Sequence, residues 1–177
     1  GLKQYEKATQ EFQTILDTQS SFASADRVAF EMGTAQLLMG NNADAEKTFR
    51  MVVSKYPQGS RTADAWFEIG ESRFEAGAWD DAAAAYDSAI QSVIDRDTMS
   101  QLLEQSFHKR GWAFVMKKDH AKAAKAFNEQ VKQFPNGPLT ADGYAMLGES
   151  FFQSGNHAAA REPLSKAIAT IEQLSSV

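Results

Sequence analysis

Residues 62–90 read Thr62-Ala63-Asp64-Ala65-Trp66-Phe67-Glu68-Ile69-Gly70-Glu71-Ser72-Arg73-Phe74-Glu75-Ala76-Gly77-Ala78-Trp79-Asp80-Asp81-Ala82-Ala83-Ala84-Ala85-Tyr86-Asp87-Ser88-Ala89-Ile90. Ala63, Trp66, Phe67, Ile69, Gly70 and Phe74 follow the three-and-four spacing that stripes one side of a helix. Ala82, Ala85, Tyr86, Ala89, Ile90 and then Val93 do so again. Gly77 interrupts between the two runs as a helix C-terminal glycine does. The stretch therefore predicts two helices joined by a tight turn. Gly70 and Ala82, twelve residues apart, let the two backbones approach closely, and Tyr86 fills the space beside them.

The same register recurs along the chain. Aligning Gly33, Gly70, Gly111 and Gly148 places Ala45, Ala82, Ala123 and Ala160 twelve residues later, and Phe49, Tyr86, Phe127 and Leu164 sixteen later. Ala8 and Phe12 repeat the small-then-large pair, as the tail of a truncated unit does. Units two and four are related at an offset of 78, with Thr62-Ala63-Asp64 matching Thr140-Ala141-Asp142. A helix pair of this kind cannot bury its apolar face alone, so the units are expected to stack into an all-α solenoid with one continuous core. The expected division is one domain over 1–177: a partial repeat 1–20, then repeats at about 22–59, 60–97, 98–137 and 138–177.

Local signals refine this outline. Tyr56-Pro57-Gln58-Gly59-Ser60 and Phe134-Pro135-Asn136-Gly137-Pro138 join units with a helix stop, turn residues and a following Ser or Thr suited to an N-cap. Gly40 and Gly155 stand at the turn within units one and four, whereas Lys117-Lys118-Asp119 replaces the glycine in unit three and makes that turn the exception. The interval between units two and three is 41, against 37 elsewhere, which predicts a longer loop or an extended helix. Thr98 and Gln101 have capping-box spacing there. Arg110 stands where an apolar residue is expected, and Pro163 is expected to kink its helix or reset its start.

Trp66, Ile69, Gly70, Ala82, Tyr86 and Ala89, with Gly33, Ala45, Phe49 and Pro57, resemble the tetratricopeptide repeat. The resemblance implies a right-handed superhelix of antiparallel helix pairs acting as a non-catalytic protein-protein interaction scaffold. In that family the first helix of each pair lines a concave groove. The matching positions are Phe30 in unit one, Asp64, Phe67, Glu71 and Phe74 in unit two, His108 and Trp112 in unit three, and Glu149 and Phe152 in unit four. The aromatic rings are read as anchors for a peptide or protein segment and, equally, as packing against the adjacent repeat. The carboxylates favour a partner carrying Lys or Arg. The Lys and Asn of the chaperone-tail clamp are replaced by Phe30 and Thr34, Phe67 and Glu71, and His108 and Trp112, which disfavours chaperone tails. The longer repeat also looks like the subgroup in bacterial cell-envelope proteins, such as the periplasmic coordinator of the Tol-Pal system and the lipoprotein of the barrel-assembly machine. That likeness implies a periplasmic or envelope location.

Composition bounds the remaining classes. The chain has 177 residues, net charge −5 and no cysteine, which excludes disulfides and thiolate chemistry. An acidic chain argues against nucleic-acid binding, and no apolar run is long enough to insert into a membrane. It opens on Gly1, so it is expected to be part of a longer protein. No phosphate loop, dinucleotide turn, zinc helix or nucleophile elbow occurs. His108, His120 and His157 lack ligand spacing. No enzyme, cofactor or metal site is read. Residues 60–105 carry −7 and residues 106–133 carry +5, so the alternative to a groove is a self-assembling or spacer segment whose acidic and basic regions meet in successive copies.

Overall fold

The computed structural model describes residues 2–19 and 22–175. These form α1 (Leu2–Thr18), α2 (Ala25–Leu38), α3 (Asn42–Lys55), α4 (Thr62–Glu75), α5 (Trp79–Ser92), α6 (Ser100–Met116), α7 (His120–Gln133), α8 (Thr140–Gln153) and α9 (His157–Ser175), with no strand among the described residues. Each helix packs on the next in chain order, giving a right-handed solenoid of antiparallel pairs α2/α3, α4/α5, α6/α7 and α8/α9 behind the single helix α1.

The glycine register sets the spacing within each pair. A β-carbon on Gly33, Gly70 or Gly111 would lie 2.6 Å from the ring of Phe49, Tyr86 or Phe127, and one on Gly148 would lie 2.5 Å from Leu164 Cγ. A side chain fits only if the facing residue moves, so each first helix rests directly on the large residue of its second helix. Phe49, Tyr86 and Phe127 are thereby fully buried, together with Ala45, Ala82 and Ala123.

All four turns within pairs share one backbone. Gly40, Gly77 and Gly155 have φ of 78°, 73° and 80°, and Lys118 adopts φ 63° at the equivalent place. The third turn is thus not the exception its sequence predicts: packing forces a lysine into the left-handed region where the others use glycine.

The junctions between pairs also differ from expectation. Thr62 and Thr140 do not cap; their hydroxyls donate backwards to the carbonyls of Tyr56 and Phe134, tying each new helix to the end of the last. Ser60 donates to Asp26 Oδ2 at 2.8 Å, and the Arg61 N–H to the same oxygen at 3.2 Å. At an offset of 78, the Leu139 N–H donates to Glu104 Oε1 at 3.0 Å. A buried acid in one first helix therefore satisfies an orphan N–H at the start of the next first helix. Gly59 and Gly137 make room for these carboxylates.

The extra residues of the 41-residue interval lengthen α6 at its N-terminus, leaving residues 93–99 as the link. Thr98 and Gln101 form no capping box, because α6 starts only at Ser100 and has no side-chain cap bond. Instead Asp95 Oδ1 accepts from the N–H groups of Asp97 and Thr98 and folds the link on itself. Pro163 does not reset its helix: α9 starts at His157, where Asn156 Oδ1 accepts from the Ala159 N–H at 3.2 Å, and continues through the buried proline. Arg110 is accommodated by two carboxylates, Asp87 of α5 and Glu129 of α7, each at 2.5 Å, with its guanidinium 5.0 Å from the Phe107 ring centre.

Candidate functional site

A cleft of about 700 Å³ opens on the face made by the first helices. Arg27 of α2, Asp64, Phe67 and Glu68 of α4, and Gln101, Leu102 and Gln105 of α6 line it, and the 93–99 link closes one end with Ile94, Asp95, Thr98 and Met99. Of the nine residues read as partner-binding, Asp64 and Phe67 lie in this cleft. Phe67 is half-buried, its ring centre 5.6 Å from that of Tyr86, so one face packs inward while the residue still lines the cleft.

The others are distributed elsewhere. Phe30 lies under the Arg61 guanidinium and against Phe49. Glu71 accepts from the Tyr86 hydroxyl and from Lys109 Nζ at 2.7 Å. Phe74 sits edge-on to Trp79, 5.0 Å between centres, with Lys109 Nζ above it. Glu149 and Phe152 are exposed near the end of α8, Glu149 accepting from Gln153 and Phe152 lying 4.7 Å from the His157 ring.

His108 departs furthest from its expected role. It is buried, with Nδ1 3.0 Å from Gln130 Oε1, while Nε2 lies 2.9 Å from Trp112 Nε1 and 3.0 Å from Asp142 Oδ2. Gln130 Nε2 donates to the Leu139 carbonyl, which leaves its Oε1 facing His108 Nδ1, while His108 Nε2 lies between the Trp112 indole N–H and the Asp142 carboxylate. The ring thus joins α6, α7 and α8 and offers almost no surface to a partner.

Glu68 is the residue the sequence reading passed over. With Asp64, Glu71 and Glu75 it forms a carboxylate stripe at intervals of four, three and four along α4. The helical spacing contained the signal, but the family positions skip it. Burial, reinforced by the charges of Glu71, Asp64 and Glu75, pushes the Glu68 pKa above its ordinary value. Asp64 is raised too, by burial that its Arg61 partner only partly offsets, and its Oδ2 is buried without a hydrogen bond among the described residues. Glu46, on the neighbouring α3, shows the contrast: burial raises its pKa, but Arg50, Ser72 and Arg73 together outweigh this and lower it.

The two charge blocks meet within the chain. Lys109 reaches Glu71, Arg110 reaches Asp87, and Lys117 Nζ lies 2.5 Å from Asp80 Oδ2, so basic residues around α6 hold it against the acidic α4 and α5. Lys122 pairs with Asp119 in the following turn. Much of the basic block is thereby used inside the solenoid. Among the described residues no group of three or more metal-ligating side chains converges, and no helix is long and apolar enough to cross a membrane.

Stacked helix pairs with a groove on their first-helix face define a helical-repeat interaction scaffold. The chain belongs to the tetratricopeptide repeat family, whose model matches residues 30–97 and 108–173. No curated protein matches the sequence. The fold is similar to the crystal structure of MamA, with a TM-score of 0.75 at 17% identity over 98% of this chain and 92% of that one. It is similar also to BtubC from P. vanneervenii, at 0.74 and 9% over 98% and 76%. A Podosopora anserina kinesin light chain structure of nearly identical TPR-like repeats matches at 0.69 and 13% over 99% and 90%. These likenesses show the fold; no catalytic family is indicated, and members of the repeat family are generally non-catalytic scaffolds for protein partners.

Proposed function

We propose that the cleft between α2, α4 and α6 receives an extended protein segment, and that a Lys or Arg of this segment meets Asp64 and Glu68 while an adjoining apolar residue packs on Phe67 and Leu102. The carrying observation is Glu68: it is half-buried in an acidic stripe, and no hydrogen bond or ion pair to its carboxylate forms among the described residues. A desolvated carboxylate without a cation costs the free protein stability and is relieved by a cation from outside. Glu71 is already held by Lys109, so it is not the primary contact. The likeness of the 37-residue units supports the bacterial cell envelope as the proposed compartment.

The test is fluorescence anisotropy with a labelled peptide of alternating leucine and lysine, set against its leucine-glutamate counterpart. The lysine peptide is expected to bind, with an affinity that falls as salt is added, and Glu68→Gln and Phe67→Ala are each expected to weaken it about tenfold or more. Equal binding of both peptides, or full binding by Glu68→Gln, refutes the reading. Glu68→Gln carries a second signature. Because the folded pKa is raised, the charge penalty is absent below the ordinary value near 4.5 and grows as pH rises through the folded value. At pH 7 this variant is therefore expected to melt higher than the wild type while binding worse.

A further inference from the structure

Unit three departs from its siblings at two places where the fold has a clear preference. One residue before the register glycine stand Met32, Ile69 and Leu147 in units one, two and four, all buried, and Arg110 in unit three. Seven residues after it stand Gly40, Gly77 and Gly155, and in unit three Lys118, on a left-handed backbone that glycine adopts freely and lysine does not. Neither exchange helps the solenoid: Lys118 is strained, and Arg110 buries a guanidinium whose Nε has no hydrogen bond among the described residues. Costs of this kind gathered in one repeat point to function and not to architecture.

Both residues belong to one basic surface. A groove of about 210 Å³ between α5, α6 and α7 shares no residue with the cleft. Arg110, Phe114, Lys122, Lys125 and Ala126 line it, and Asp87 and Glu129 hold Arg110 from either side. Lys122 Nζ lies 5.6 Å from the Phe114 ring centre and pairs with Asp119. Lys118, Lys125 and Lys132 are exposed and form no hydrogen bond or ion pair among the described residues. Their seven-residue spacing places Lys125 and Lys132 about 10 Å apart on one face of α7, and Lys118 extends the row from the turn before it. At the places of Lys122, Lys125 and Lys132 the other units carry Asp44, Lys47 and Ser54, then Asp81, Ala84 and Gln91, then Ala159, Glu162 and Ala169. Lys47 is neutralised by Asp44 at 3.0 Å, so the unpaired row is particular to unit three.

We propose that this row and its groove dock an acidic helix of a protein partner, with a carboxylate at every seventh residue and an apolar side chain three residues after each. Carboxylates at that interval are themselves about 10 Å apart, so they meet the lysines in step. The residue three positions on shares their face and packs on Phe114 and Ala126 beside Lys122. A flat anionic surface fits less well. The preceding second helix carries exposed Asp81 at the place of Lys122, and the following one carries exposed Glu162 at the place of Lys125, so the same face turns acidic on both sides of α7. A single helix touches the row without reaching these carboxylates, whereas a broad sheet of negative charge is repelled by them.

Fluorescence anisotropy tests this on the 177-residue chain with a labelled alanine-glutamine helix of about 20 residues, carrying glutamate at every seventh position and leucine three after each. The helix is expected to bind, and to bind more weakly as salt is added. Lys125→Gln and Lys132→Gln are each expected to weaken binding about threefold with an unchanged melt. Lys118→Gly is expected to weaken it about as much while raising the urea midpoint. Lys47→Gln, at the place of Lys125 in unit one, is expected to leave binding unchanged. An alternating leucine-glutamate peptide, which as a strand turns its leucines away from its carboxylates, is expected to bind at least about tenfold more weakly than the helix. No binding of the helix, equal binding of the alternating peptide, an equal loss in Lys47→Gln, or full affinity in Lys118→Gly/Lys125→Gln/Lys132→Gln overturns the proposal. Tighter binding of phosphatidylglycerol vesicles or duplex DNA than of the helix overturns it too. Glu68→Gln and Phe67→Ala leave helix binding unchanged, and the lysine substitutions leave lysine-peptide binding in the cleft unchanged, so the two readings fail separately.

Discussion

Adding one methyl group at two equivalent glycines should have opposite consequences, and the difference follows from what each glycine faces. In Gly70→Ala the new β-carbon would lie 2.6 Å and 2.7 Å from two ring carbons of Tyr86. That ring is fully buried, is packed on Phe67, and is anchored by its hydroxyl donating to Glu71. It has nowhere to turn. Over-packing of this kind costs about 1–3 kcal/mol, and the better helix propensity of alanine returns about 1 kcal/mol. The expected net loss is up to about 2 kcal/mol, or a fall in Tm of up to roughly 8 °C for a chain of this size. In Gly148→Ala the clash is with Leu164, at 2.5 Å and 2.7 Å, but Leu164 is 38% exposed and can swing toward solvent. The Ala160 carbonyl oxygen, at 3.2 Å, needs to give only slightly. Gly148→Ala is thus expected to remain within about 0.5 kcal/mol of the wild type once the propensity gain is counted. Thermal and urea melts followed by circular dichroism measure both. If Gly70→Ala is as stable as Gly148→Ala, the glycines do not set the helix spacing and the packing argument fails.

Two further substitutions probe the turns and the junctions. Lys118→Gly relieves a left-handed backbone at φ 63° and should stabilise the chain by about 1 kcal/mol, read as a higher urea midpoint with an unchanged slope; no gain would mean that the lysine is not strained there. Asp26→Ala removes the acceptor for Ser60 and the Arg61 N–H and should cost about 1–2 kcal/mol at pH 7. Burial pushes the Asp26 carboxyl up, but the hydrogen bonds from Ser60, Arg27 and Arg61 outweigh it and hold the pKa below its ordinary 3.8. Its contribution is therefore complete above that value and is lost as pH falls through the lower folded value, so the gap between variant and wild type should close in acid. A gap independent of pH would assign the loss to packing alone.

The spacing of glycine, alanine and a large residue was legible in the sequence because helix pairing demands small residues at a close crossing, and a repeat states that demand four times. Asp64 and Phe67 were legible as cleft residues for the same reason: a family position on a first helix is a geometric statement. Glu68 was passed over because what sets it apart is the missing countercharge, which depends on where Arg61, Arg73 and Lys109 send their side chains. His108 was misplaced because a position that opens on the groove in one unit is closed in another by Gln130 and Asp142, which arrive from α7 and α8. The capping expectations at Thr62, Thr98 and Thr140 failed through competing local bonds: the Thr62 and Thr140 hydroxyls donate to preceding carbonyls, and the Thr98 N–H donates to the Asp95 carboxylate.

The sequence by itself determined the solenoid, the order of its helices and the membership of the repeat family, because helical periodicity and close-packing are local, repeated constraints. Only the tertiary structure decided which acids are compensated and which are left without a cation, and which apolar residues are covered. Charge pairing and burial are set by neighbours 23 to 38 residues away in sequence, such as Arg110 with Asp87 and Lys109 with Glu71, and no spacing along one helix encodes them.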